Sequence, residues 1–112
     1  MKPVRLILDA SAIAQYTRTT GVGETIREVH TDNVTFAVPV LCLVEATQTT
    51  DLGTVELLTR HPACVLLDVP HDHWRSWAAI RSVVAGPDAA AAVWFAYAYD
   101  CDVESASQFS RE

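Results

Sequence analysis

The run Val4-Arg5-Leu6-Ile7-Leu8-Asp9-Ala10-Ser11-Ala12 decides the architecture. Residues 4–8 are aliphatic or β-branched apart from one long basic side chain, and they stop at a carboxylate followed by small residues. A short apolar stretch of this kind reads as a buried strand. An acid at its carboxyl end falls where open parallel sheets carry their ligand sites. Ala10 to Thr17 then favours helix. Gly21-Val22-Gly23 reads as punctuation that ends or interrupts that segment. Glu24 to His30 reads as a short amphipathic helix, with Ile26 and Val29 three apart.

The alternation continues along the chain. Val34 to Val38 is a second strand, stopped by Pro39, and Val40 to Thr47 reads as a helix. Asp51 to Arg60 is another, with Asp51 placed as N-cap and His61-Pro62 as its end. Cys64 to Val69 is a third strand, closed by Pro70. His71 to Val84 reads as a helix with Trp74, Trp77, Ala78 and Arg81 in register. Gly86-Pro87 breaks it. Asp88 then opens an alanine-rich helix to about Tyr99, with Ala89 to Ala92 as a tightly packed face. Asp102 to Ala106 gives a fourth short strand. Strands alternating with helices predict one α/β domain over residues 1–112. It is a three-layer αβα sandwich with right-handed crossovers and a central parallel sheet of four or five strands.

Composition narrows the function classes. The chain has 112 residues, 50% of them hydrophobic, which excludes a disordered chain and suits one modest core. A net charge of -6 argues against non-specific adhesion to nucleic acid or to an anionic membrane. It leaves open an enzyme whose carboxylates are neutralised by bound metal. Cys42, Cys64 and Cys101 are odd in number, far apart and set in apolar surroundings; they read as free buried thiols of a reducing compartment. No run approaches the ~20 apolar residues of a membrane span, and the N-terminal apolar stretch breaks at Asp9, unlike a signal peptide. The expectation is a cytoplasmic chain with no membrane partner.

Three acids stand out. Asp9 ends the first strand, and the same residue type there also caps a following helix. Glu45 is a single acid within Val40-Leu41-Cys42-Leu43-Val44-Glu45-Ala46, so it must face solvent, a partner or a cleft. Asp88 opens the alanine helix as an N-cap, a role that does not exclude metal binding. Gathered on one sheet edge, the three would suit a hard divalent cation such as Mg²⁺.

Other features carry less. His71-Asp72-His73 reads as a solvated helix start, because positions two apart do not share a helix face. His61 and Cys64 lack the second half of a zinc site, and Gly21-Val22-Gly23 lacks the Lys-Ser/Thr of a phosphate loop. Ser11 has no histidine partner pattern for nucleophilic work. The three tryptophans read as core or interface anchors rather than base-stacking platforms. Arg18, Arg75 and Arg81 form a basic groove only if folding gathers them.

Leu6-Ile7-Leu8-Asp9-Ala10-Ser11-Ala12, Val38-Pro39-Val40-Leu41-Cys42-Leu43-Val44-Glu45-Ala46 and Asp88-Ala89-Ala90-Ala91-Ala92, with Asp102-Val103-Glu104-Ser105 as a last core strand, resemble in order and spacing the PIN domains, including short VapC-like bacterial toxins. The resemblance implies a metal-dependent ribonuclease with an acidic cleft. Asp9, Glu45 and Asp88 would ligate Mg²⁺ or Mn²⁺, Ser11 would assist beside the first Asp, and RNA would be the substrate. It also implies a homodimer and, for a toxin, an antitoxin protein partner. The chain departs from the family at one place. Ser105 matches the Thr or Ser that ends the last strand, but the fourth acid position falls on Ser107. Asp102 and Glu104 are nearby, although strand alternation does not require Glu104 to face the cleft. A catalytically weakened PIN-like domain that serves as a binding or scaffold module is the alternative.

Overall fold

The computed structural model describes residues 2–105, so Ala106 and Ser107 lie outside the described residues. Four strands, β1 (Val4–Leu8), β2 (Thr35–Pro39), β3 (Cys64–Leu67) and β4 (Asp102–Glu104), form one all-parallel sheet in the order β3-β2-β1-β4. The connections are helical: α1 (Ala10–Ala14), α2 (Thr20–Thr31), α3 (Val40–Ala46), α4 (Leu52–Thr59), α5 (Trp74–Arg81) and α6 (Pro87–Tyr99). Helix α6 packs on β1, β2 and β4. Helices α1, α2 and α4 pack on β1, β2 and β3 respectively, and α5 lies on α6. This is the expected α/β arrangement, a parallel sheet flanked by helices.

The two central strands are the most apolar. All five residues of β2 are buried, as a strand covered on both faces must be. β1 carries one exception, Arg5. The register between β1 and β2 slips between Val4 and Leu6, so Arg5 is the extra residue of a bulge. It is thrown outward, where its guanidinium meets Asp32 at 2.6 Å. Both partners are half-exposed, so the pair adds at most about 1 kcal/mol. Its chief role is to let a charge sit in an otherwise buried strand. The core gathers Ile7, Leu8, Ile13, Val22, Ile26, Phe36, Val38 and Leu58 around this pair of strands. Buried Ala90, Ala91 and Ala92 let α6 approach the sheet closely.

Several boundaries differ from the expectation. Gly21 and Gly23 do not break the chain but lie in the first turn of α2. Each costs about 1 kcal/mol against alanine, which the burial of Val22, Ile26 and Val29 on one face outweighs. Pro39 does not stop β2 short: it is its last residue and precedes α3. Being at the strand end, it forfeits no ladder bond within the strand. β3 stops at Leu67, two residues early. The expected helix 71–84 is a 3-10 turn at His71–His73 followed by the shorter α5. Asp51 caps α4 as expected, accepting from the Thr54 amide at 3.1 Å. Asp88 is not the N-cap of α6. That place falls to Gly86, with Pro87 and Asp88 in the first turn. Trp77 and Trp94 are half-buried, but Trp74 is 57% exposed and is no core residue. Among the described residues no helix is long and apolar enough to cross a membrane.

Phe36 is fully buried in the central strand. Phe36→Ala should cost about 3–5 kcal/mol through lost burial and a cavity, read as a lower midpoint in urea denaturation. Val83→Ala, at a side chain 85% exposed, should stay within about 0.5 kcal/mol of the parent.

Candidate acidic site at the carboxyl edge of the sheet

The strand order fixes where a site can form. From β1 the chain moves outward to β2 and β3, then returns across the sheet to place β4 on the other flank of β1. The switch point lies between the carboxyl ends of β1 and β4, the usual ligand crevice of open parallel sheets. Asp9 and Ser105 follow those two ends directly.

The Asp9 amide donates to the Glu104 carbonyl at 3.1 Å, which joins the strand ends. Its carboxylate Oδ1 accepts from the Ala12 amide at 3.0 Å and from the Ser11 hydroxyl at 2.7 Å. Asp9 is therefore the N-cap of α1, one of the two roles its sequence allowed. The Ser11 and Ser105 hydroxyls stand 3.0 Å apart, so Ser11 bridges the first acid to the end of β4.

Asp88 reaches the same edge from the other side. Helix α6 leads into β4, so its first turn lies at the carboxyl edge. Two contacts hold that turn. The Cys42 thiol of α3 donates to the Asp88 carbonyl at 3.3 Å, and the Trp77 indole of α5 donates to the Pro87 carbonyl at 2.9 Å. Gly86 adopts φ +90°, and a Cβ there would stand 2.7 Å from Asp88 Oδ1. The positive φ is what favours glycine here, whereas Asp88 Oδ1 is the end of a flexible side chain that can move away from a Cβ.

Cys42, in α3, is fully buried. Its thiol is pushed up to about 12, first by burial and then by the charges of Asp88 and Asp9. One buried thiol thus lies within electrostatic reach of both carboxylates. Glu45 lies one turn further along α3, exposed to solvent. Among the described residues no three His, Cys, Asp or Glu side chains stand close enough to form a metal-holding group. Arg18 is tied to the Thr49 carbonyl, Arg75 covers Trp74 and Arg81 turns to Val84, so these three arginines are spent on separate local contacts.

The sequence reading understated Glu104. It is half-buried, and its carboxyl is held above the ordinary range by burial first, then by Asp102 and Asp9. The signal available in the sequence was its place at the end of β4, opposite Leu8 in register and next to the acid that follows β1.

A raised carboxyl means that the folded chain holds this proton more tightly than the unfolded one. That contribution to stability is complete below the ordinary glutamate value and is lost as pH rises through the raised one. Glu104→Gln, neutral and of the same shape, should therefore melt higher than the parent at about pH 7.5. The advantage should vanish near about pH 4, where the parent is also protonated. Parallel melting curves at every pH would show that Glu104 escapes its neighbours' charge. No family model matches the chain, and neither a curated protein nor a solved structure matches it, so function must be argued from this edge alone.

Proposed function

We propose that the protein is a Mg²⁺- or Mn²⁺-dependent endoribonuclease of the PIN-domain kind, working at the edge shared by Asp9 and Asp88. The observation that supports this most is the shared edge: Asp9 follows β1 at the switch point, and the first turn of α6, which carries Asp88, is tied through the Asp88 carbonyl to buried Cys42. The donors suit a hard cation: they are carboxylate oxygens, and the neighbouring sulfur stays protonated and so does not compete. Mg²⁺ keeps several waters and takes one or two protein carboxylates, which fits an acidic pair better than a closed cage. When bound, such an ion supplies an activated water and offsets phosphate charge.

The chain's own residues would divide the remaining work. Asp9 commits Oδ1 to the α1 cap and to Ser11, which fixes the direction of its second oxygen. Ser11, between Asp9 and Ser105, orients a water or a phosphate oxygen. Asp88, held by Trp77 and Cys42 through its own turn, closes the other side. On the family resemblance the reading extends to a cytoplasmic toxin, an antitoxin that restrains it and a homodimer.

A second reading has its own support. Among the described residues no three His, Cys, Asp or Glu form a group that could hold a metal ion, and Glu45 is exposed. A PIN-like domain with weakened catalysis, serving as a binding or scaffold module, accounts for both.

Asp9→Asn separates the two readings cleanly, because asparagine keeps the cap to Ala12 and so spares the fold. Purified parent should cleave RNA with Mn²⁺ and stop in EDTA. Asp9→Asn should lose that cleavage by roughly a hundredfold, the scale of removing one charge-stabilising group. Equal cleavage by both forms would sink the nuclease. Absence of Mn²⁺ binding at millimolar metal, together with a stable homodimer or complex, would establish the scaffold.

A further inference from the structure

A second concave surface lies away from the acidic edge, between α2, the end of α1 and the end of α4. It encloses about 360 Å³ and is lined by Tyr16, Ile26, Arg27, His30, Leu57 and His61, among others. Its charge runs against that of the molecule. The chain carries 14 acidic against 8 basic residues, yet no Asp or Glu lines this groove, and an arginine and two histidines do.

The geometry makes those three groups converge. Arg27 and His30 are three apart on α2 and so share a face. The His30 and His61 rings meet edge to face, with centroids 5.2 Å apart. His61 is fixed from behind by Phe36, 5.5 Å between ring centroids, and its Nδ1 accepts from the Ala63 amide at 3.0 Å. That bond sets the tautomer: the ring proton sits on Nε2, which leaves a donor available to a ligand. The charges around the groove are accounted for. Asp32 is taken by Arg5, and Glu56 pairs with Arg60. Glu24 and Glu28 sit on α2 without lining the groove, and Arg27 has no ion pair among the described residues. Burial and the neighbouring His30 hold the His61 ring below the ordinary histidine range.

We propose that this groove is an anion site for a phosphate group, clasped by the Arg27 guanidinium, His30 and the Nε2–H of His61. The guanidinium fork matches a tetrahedral oxyanion, and the His30 ring adds a further N–H donor. Ile26, Leu57 and the Tyr16 ring supply apolar walls for the body of a phosphate monoester, and the volume lies at the small end of ligand pockets. The site is separate from Asp9 and Asp88 and does not depend on the nuclease reading.

The test uses the full chain in EDTA, with side-chain NMR of its four histidines and inorganic phosphate or phenyl phosphate as probes. His30 and His61 should shift and saturate at millimolar phosphate while His71 and His73 stay in place. Arg27→Gln, at an exposed position, should fold normally and bind roughly tenfold more weakly, the scale of one charge-assisted hydrogen bond. Tighter binding of phenyl phosphate would assign the walls to an organic ester, and equal binding would assign the site to free phosphate. Equal movement of all four histidines, the same shifts in chloride at matched ionic strength, or unchanged affinity in Arg27→Gln would overturn the proposal.

Discussion

The hydrogen bond from the Asp9 amide to the Glu104 carbonyl carries the geometry of the acidic edge. β4 is only three residues long, and it pairs with β1 alone at the flank of the sheet. Extending the ladder one step past Leu8 brings the end of β4 against the start of α1. There the Asp9 side chain caps the helix and the Ser11 hydroxyl reaches Ser105. One residue thus closes a strand, opens a helix and presents a carboxylate. A backbone amide at this position cannot be left unpaired without cost, so the fold's own hydrogen-bond accounting places the acid at the switch point.

Gathering acids there has an electrostatic cost, and the structure shows where it falls. Glu104 responds by holding its proton more tightly, and Cys42 by remaining a thiol. A cation would reverse this repulsion, since opposite charge favours the ionised carboxylate. A partner's basic side chain would do the same. Either kind of positive charge is an electrostatic fit, and which of them occurs separates the proposed nuclease from the proposed scaffold.

The sheet and the edge were legible in the sequence because they depend on local signals. Val4–Leu8, apart from Arg5, and Thr35–Val38 are short, apolar and bounded, and their alternation with helical segments points to parallel strands covered on both faces. Asp9 was legible as an acid at a strand end. What the sequence hid depends on partners far along the chain. Gly21 and Gly23 look like breakers until the burial of Val22 and Ile26 is known. Asp88 looks like a cap until Gly86 is seen to take the positive φ that turns the chain into α6. Cys42 looks like a core thiol, and it is one, but its hydrogen bond to the Asp88 carbonyl follows only from the packing of α3 on α6. His30 and His61 were invisible as a pair because nothing in their spacing signals that α2 and the end of α4 meet.

The two halves of the edge are not equally anchored. Asp9 follows a strand whose last two residues are completely buried, and its carboxylate is fixed by two hydrogen bonds. Asp88 depends on the first turn of α6, steadied by a weak thiol donor and by Trp77 from α5. Helix α5 has no buried residue at all. Elements with so little buried apolar surface open at the lowest free energies, so the Trp77 tether is the weaker of the two supports. The position of Asp88 relative to Asp9 is therefore set as much by what packs on α5 as by the core. Trp74 and Val83, exposed on and just beyond that helix, are where added burial would stiffen it.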